Sequence, residues 1–135
     1  MKGLLSIALA TVVLTNISPA AQVKRATPSE ETRMTGRLAA AIEDVGGGYT
    51  REGLSRFVWI NNELKKREYS LWTRWNAHRW YAQAMLDSGK SQEALDVLQN
   101  AEQEACLMTD EKQQKTAKEE TAKLVREARQ HSPKK

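Results

Sequence analysis

Residues 75–106 read WNAHRWYAQAMLDSGKSQEALDVLQNAEQEAC, and this stretch decides the fold class. Apolar or small residues recur every three to four positions on both sides of Gly89, the spacing of a helix that buries one side. Between the two runs, Asp87-Ser88-Gly89-Lys90 continues neither helix comfortably. The stretch therefore predicts an αα-hairpin. Ala82, Ala94 and Ala101 are small enough for two helix backbones to cross closely, while Tyr81, Met85 and Leu98 fill the space beside the crossing.

The order of these positions resembles a tetratricopeptide repeat. Tyr81-Ala82 stands as the large/small pair of a first helix, Met85 one turn on, Gly89 at the turn, and Ala94, Leu98 and Ala101 down a second helix. The family's aromatic near the start of the first helix is His78 here, flanked by Trp75 and Trp80, and its closing proline is Cys106. A degenerate copy covers residues 34–67. Gly48-Tyr49-Thr50-Arg51-Glu52-Gly53-Leu54-Ser55-Arg56-Phe57 lies over Gly89-Lys90-Ser91-Gln92-Glu93-Ala94-Leu95-Asp96-Val97-Leu98 at an offset of 41 residues. A regular repeat measures ~34, so a helical extension of about two turns at residues 65–70 is expected to make up the difference. In the first helix of this copy, Leu38 and Ile42 fall where the later repeat has Arg79 and Gln83. The resemblance implies stacked antiparallel hairpins closed by a C-terminal capping helix. It also implies a concave face, lined here by Asn76, Arg79 and Gln83, that receives an extended peptide. It names no partner and no reaction.

Composition points the same way. The chain has 135 residues, 28% of them charged, with three prolines and seven glycines, which suits one domain plus terminal segments. Helix formers fill nearly every stretch after residue 28, so an all-α domain over residues 28–130 is expected. The net charge of +4 is spread among acidic residues along the same helices, the pattern of a solvated surface. Lys65-Lys66-Arg67 is too short and isolated to mark a nucleic-acid patch and reads as cations complementing the C-terminal dipole of a helix.

Residues 1–20 read as a signal peptide: Met1-Lys2, then a mostly apolar run from Gly3 to Ile17, then Ser18-Pro19-Ala20. Cleavage after Ala20 is the first choice and after Ala21 the second. The run is interrupted by Ser6, Thr11, Thr15 and Asn16 and falls short of the ~20 apolar residues that span a bilayer. The mature chain is thus expected in a periplasm or outside the cell, without a stable membrane anchor. Cys106 is the only cysteine, so no intramolecular disulfide forms; it is expected to be buried where the hairpin ends, with pairing between chains as the alternative.

Outside the hairpin, residues 21–27 form a polar, basic connector. Thr27-Pro28-Ser29-Glu30 then offers a capping box, opening a helix with the stripe Met34, Leu38, Ala41, Ile42 and Val45, ended by Gly46-Gly47-Gly48. Thr50 is expected to cap a second helix carrying Leu54, Phe57, Val58, Ile60 and Leu64, with Trp59 beside the stripe. Thr109 is expected to cap a last helix from Asp110 to about Gln130, with the seam Ala117, Leu124, Val125 and Ala128 and with Leu107 and Met108 packed on the hairpin. Residues 131–135 are expected to fray.

Four tryptophans are the most unusual feature, and Trp72, Trp75 and Trp80 crowd one helix with Tyr69 and Tyr81. They do not share one face, so this helix is either packed on several sides or exposes an aromatic platform for a peptide, protein or glycan, with Trp72 and Trp80 as anchors. His78 and His131 lie in different elements without metal-ligand spacing, and no nucleophile elbow or phosphate-cradling loop is present. No catalytic residue, metal or cofactor is expected. The leading expectation is an exported, non-catalytic binding protein, an adaptor, chaperone or assembly factor of the cell envelope whose partner is another protein or an extended peptide rather than nucleic acid. The alternatives are a small exported inhibitor or immunity-type protein that blocks one enzyme and, third, a peptidoglycan-active enzyme. Oligomeric state is left open.

Overall fold

Thr27 starts the fold. Its Oγ1 accepts the Glu30 amide at 3.1 Å while Glu30 Oε1 accepts the Thr27 amide at 2.9 Å, the reciprocal capping box that the sequence encodes. The Thr27 backbone amide also holds the Glu30 carboxyl below its ordinary pKa. The structure, a computed structural model, describes residues 23–131; the expected signal peptide and the last four residues of the tail lie outside them. Helix α1 (Pro28–Gly46) buries Met34, Leu38 and Ala41, and Gly48 at φ +89° reverses the chain into α2 (Thr50–Glu63). Thr50 does not cap that helix. It is the first helical residue, and Tyr49 holds the cap position without a side-chain hydrogen bond.

Gly53, Phe57, Ile60 and Leu64 form the buried seam of α2, so Val58, one step off that seam, faces solvent, as does Trp59. The helix then stops. Residues 65–70, expected as two further helical turns, form a connector held by a single parallel bridge between Arg25 and Glu68. Ala26 donates to the Glu68 carbonyl at 2.9 Å and Glu68 donates to the Lys24 carbonyl at 2.8 Å, so the basic connector before α1 is tied down here. Two cations of the basic run pair with carboxylates, Lys66 with Glu63 at 2.7 Å and Arg67 with Glu30 at 3.4 Å. Tyr69 belongs to this connector, not to the following helix, and its burial pushes the phenol above its ordinary pKa.

Helix α3 (Leu71–Asp87) is capped twice. Ser70 Oγ accepts the Thr73 amide, and Glu31 of α1 accepts the Ser70 amide at 2.6 Å and the Thr73 hydroxyl at 2.7 Å. A carboxylate at this N-terminus complements the helix dipole and fixes α1 beside α3. Gly89, at φ +77°, turns the chain into α4 (Ser91–Leu107), with Lys90 donating back to the Met85 carbonyl at 2.8 Å. Ala82, Ala94, Leu98 and Ala101 are fully buried along this crossing, as the small/large order requires.

Helix α5 (Glu111–His131) is capped by Asp110 rather than Thr109: Asp110 Oδ1 accepts the Gln113 amide at 2.9 Å. Its seam is the expected Ala117, Leu124, Val125 and Ala128, with Thr121 added. Thr121 Oγ1 donates to the Ala117 carbonyl at 2.6 Å and accepts the Trp75 indole N–H at 2.8 Å, so a hydroxyl is buried with both roles used. Met108 packs inward, but Leu107 and Cys106 are exposed at the end of α4. Both had been expected inside; the α4 seam runs through Ala101 and Ala105 to Met108 and leaves them on its outer side.

All five described helices pack into one all-α arrangement in which α3 touches each of the other four. Two apolar clusters result, one around α1 and α2, the other around α4 and α5, and Leu54 and Tyr81 pack against both. Tyr81 stacks on Phe57 with ring centroids 5.7 Å apart, and burial raises its phenol pKa.

Gly53 marks a close approach of α1 and α2: a Cβ there would lie 2.5 Å from Val45 Cγ2 and 3.2 Å from the Ala41 carbonyl oxygen. Gly53→Leu is therefore expected to destabilise the fold by ~1–3 kcal/mol through overpacking. Chemical denaturation followed by circular dichroism checks this; an unchanged midpoint would mean that the crossing is looser than described.

Candidate functional site

Every residue singled out for binding lies on α3, and the helix distributes them among different neighbours. Trp72 and Asn76 face α1. With Thr73 they form one wall of a groove of about 260 Å³ whose other wall is Thr35, Leu38, Ala39 and Ile42. Trp72 is held by Trp75, ring centroids 5.0 Å apart, and the Asn76 amide donates to the Trp72 carbonyl at 2.9 Å, leaving its side-chain oxygen uncommitted. The groove is thus apolar at its base with a polar rim, the composition of a small binding site.

Arg79 and Trp80 do not join it. Arg79 Nη2 pairs with Glu120 of α5 at 3.0 Å, and its guanidinium carbon sits 4.0 Å over the Trp80 ring. Its Nη1 is buried without a hydrogen-bond partner among the described residues. Gln83 donates to Asp87 on its own helix at 3.1 Å. The stripe read from the sequence is real as a helix face, but only its first turn opens into the α1–α3 groove.

A second cluster lies across α3. His78 Nδ1 is 2.7 Å from Glu104 Oε1 of α4, both side chains only 9% exposed, and Arg74 Nε stands 3.6 Å from Glu104 Oε2. That last separation is an ion-pair contact too long for a hydrogen bond, and Arg74 Nε has no hydrogen-bond partner among the described residues. His78 is buried, and sequence reasoning missed Glu104 as its partner. The signal was there: Glu104 falls on the buried side of α4, three residues after Ala101 and next to Ala105, where a carboxylate must find a partner. Asn61, Leu64, Lys65, Leu71, Asn100 and Leu107 surround the cluster and shape a cleft of about 400 Å³.

Elsewhere, Arg37 stacks on the exposed Trp59 at 4.1 Å, and Cys106 borders a groove between α4 and α5 with Lys118, Arg126 and Arg129. Among the described residues no group of three or more His, Cys, Asp or Glu is placed to hold a metal ion, and no helix is long and apolar enough to cross a membrane.

The buried pair makes a stability prediction. His78→Leu is expected to cost ~3–5 kcal/mol by removing the side chain 2.7 Å from buried Glu104 and leaving it only Arg74 at 3.6 Å, and the double change His78→Leu with Glu104→Leu to recover part of that loss. Denaturation midpoints of the three proteins decide it; strictly additive losses would show that the two side chains are not coupled.

Comparison with protein-family models, with curated proteins and with solved structures finds no match to this chain.

Proposed function

We propose that this chain is an exported, non-catalytic binding module of tetratricopeptide-like architecture that takes an extended segment of another protein into the groove between α1 and α3. The observation that carries the reading is that groove: Leu38, Ala39 and Ile42 of one helix face Trp72, Thr73 and Asn76 of the next but one, with room for one or two apolar side chains and hydrogen-bonding groups at the rim. Trp and aliphatic surface flanked by polar groups is the composition of a binding hot spot.

The repeat reading draws support from burial. At the 41-residue offset, Gly53 corresponds to Ala94, Phe57 to Leu98, Ile60 to Ala101 and Leu64 to Ala105, and every member of these pairs is buried. The contact of α1 with α3, and of α3 with α5, is what alternate helices make when hairpins stack side by side and a last helix closes the row. An adaptor, chaperone or assembly role in the cell envelope follows if the export signal functions.

Peptides selected from a displayed library against the purified protein should share an apolar anchor. Ala39→Arg, at an exposed helical position, should leave stability within about 0.5 kcal/mol while filling the groove and weakening such peptides severely. Undiminished affinity would remove the groove from consideration. A stoichiometric enzyme captured by a photo-crosslinker at Thr35, and inhibited by the complex, would favour the inhibitor reading over the adaptor one.

Export is tested separately. Intact mass of the protein recovered from a periplasmic expression host should show loss of residues 1–20 or 1–21; a full-length, membrane-retained product would end that reading.

A further inference from the structure

The cleft formed by α2, α3 and α4 has no part in the groove described above. Leu71, Arg74 and His78 recur at helical spacing on one side of α3, and with 3.6 residues per turn they lie roughly opposite Trp72, Thr73 and Asn76. From this geometry we propose that the cleft is a second binding site, for a carboxylate attached to a compact apolar body.

The carboxylate follows from charge and from hydrogen-bond supply. Lys65 and Arg74 bring two cations to the lining, against the one carboxylate of Glu104, which His78 already contacts at 2.7 Å. Arg74 Nε is shielded from water yet makes no hydrogen bond, since Glu104 Oε2 stops at 3.6 Å. A buried donor left unmade is costly. A planar carboxylate is the group that a guanidinium can take through two parallel N–H bonds, and Arg74, whose side chain is 37% exposed, meets it when the Nε edge, covered in this structure, turns toward the cleft. The amides of Asn61, Asn100 and Gln103 line the same cleft, and none of them has a side-chain hydrogen bond within the described residues. Each of these amides offers both donors and an acceptor, so the excess of donors around the opening comes from Lys65 and Arg74.

The apolar body follows from Leu107. It is 65% exposed, the barest of the large apolar side chains among the described residues, and it stands in the lining together with Leu64 and Leu71. A ligand whose carboxylate meets Arg74 would bring its apolar portion over these leucines and remove Leu107 from water. The volume, about 400 Å³, is near the small end of the range for small-molecule sites, so the ligand is a small acid or the last residue or two of a chain.

Matched probes separate these features. Titration of the nitrogen-15-labelled protein with N-acetyl-leucine should give saturable shifts at the Arg74 side-chain N–H and the Leu107 amide. N-acetyl-leucinamide, the same body without the carboxylate, should bind at least about tenfold more weakly. With 4-methylpentanoate as third probe, equal affinity would identify small branched acids as the class and weaker binding would identify peptide C-termini; either supports a carboxylate site. Arg74→Gln should lower affinity at least about tenfold, and Lys65→Gln, at an exposed position, should lower it by a smaller factor with an unchanged melting temperature. Should Arg74→Gln fail to fold, the Lys65→Gln comparison still reads out the charge. Equal binding of acid and amide, binding indifferent to the substitutions that fold, or no saturable shift in the millimolar range would overturn the proposal. None of these outcomes touches the α1–α3 groove, which Ala39→Arg tests on its own.

Discussion

The constraint on which this fold depends is that α3 is packed by a neighbour on every side. A helix in that position cannot be amphipathic in the ordinary sense, because no single face is left to water. Small residues must occur wherever another backbone comes close, as Ala77, Ala82 and Ala84 do, and large rings must fill the wider gaps, as Trp75 and Tyr81 do. The polar residues on such a helix then need partners from other helices. Thr73 finds Glu31 on α1, Trp75 finds Thr121 on α5, His78 finds Glu104 on α4 and Arg79 finds Glu120 on α5. Each net contribution is modest, on the order of 1 kcal/mol for a neutral pair, but each fixes a register that apolar packing alone would leave free.

The same constraint explains what could be read from the sequence. The Thr27 capping box, the Gly89 turn and the Ala82, Ala94, Ala101 seam are local patterns, and each is encoded within a few residues of where it acts. The aromatic crowding on α3 also carried its own message, since rings scattered around a helix imply neighbours around it. The misreadings have separate causes. Thr50 and Thr109 are good cap residues by type, yet the helix starts are set by the preceding turn and by Asp110. Residues 65–70 do not continue the helix, and the backbone of Glu68 among them bonds instead to Lys24 and Ala26, about forty residues away. Cys106 and Leu107 look like core residues by composition, and only the rotation of α4 about its seam turns them outward.

For the candidate sites, the legible part was the helix face and the illegible part was its occupancy. Trp72, Asn76, Arg79 and Gln83 do share a side of α3, as helical spacing demands. What spacing cannot reveal is that Glu120, some forty residues on, has already taken Arg79, so the guanidinium that looked most available for a ligand is a bond between helices. Nothing in the local sequence marks Arg74, whose Nε is left without a hydrogen bond among the described residues. Its nearest carboxylate, Glu104, could be recognised from sequence only as a charge on a buried stripe.

Two recesses on opposite sides of one helix have a mechanical consequence. Leu38, Ala39 and Ile42 set one wall of the first, while α2 and α4 set the walls of the second, so α3 is the element common to both. A displacement of α3 toward α1 would narrow the groove at Trp72 and widen the cleft at Arg74. The displacement is opposed from several directions at once, by Glu31 at the N-terminus of α3, by the Phe57–Tyr81 stack and by the Trp75–Thr121 hydrogen bond. Close packing transmits strain but resists continuous deformation. Coupling between the two recesses therefore requires one of these three restraints to have a second arrangement. The most exposed of them, the Glu31 contact at Ser70, is the one that water can replace at least cost.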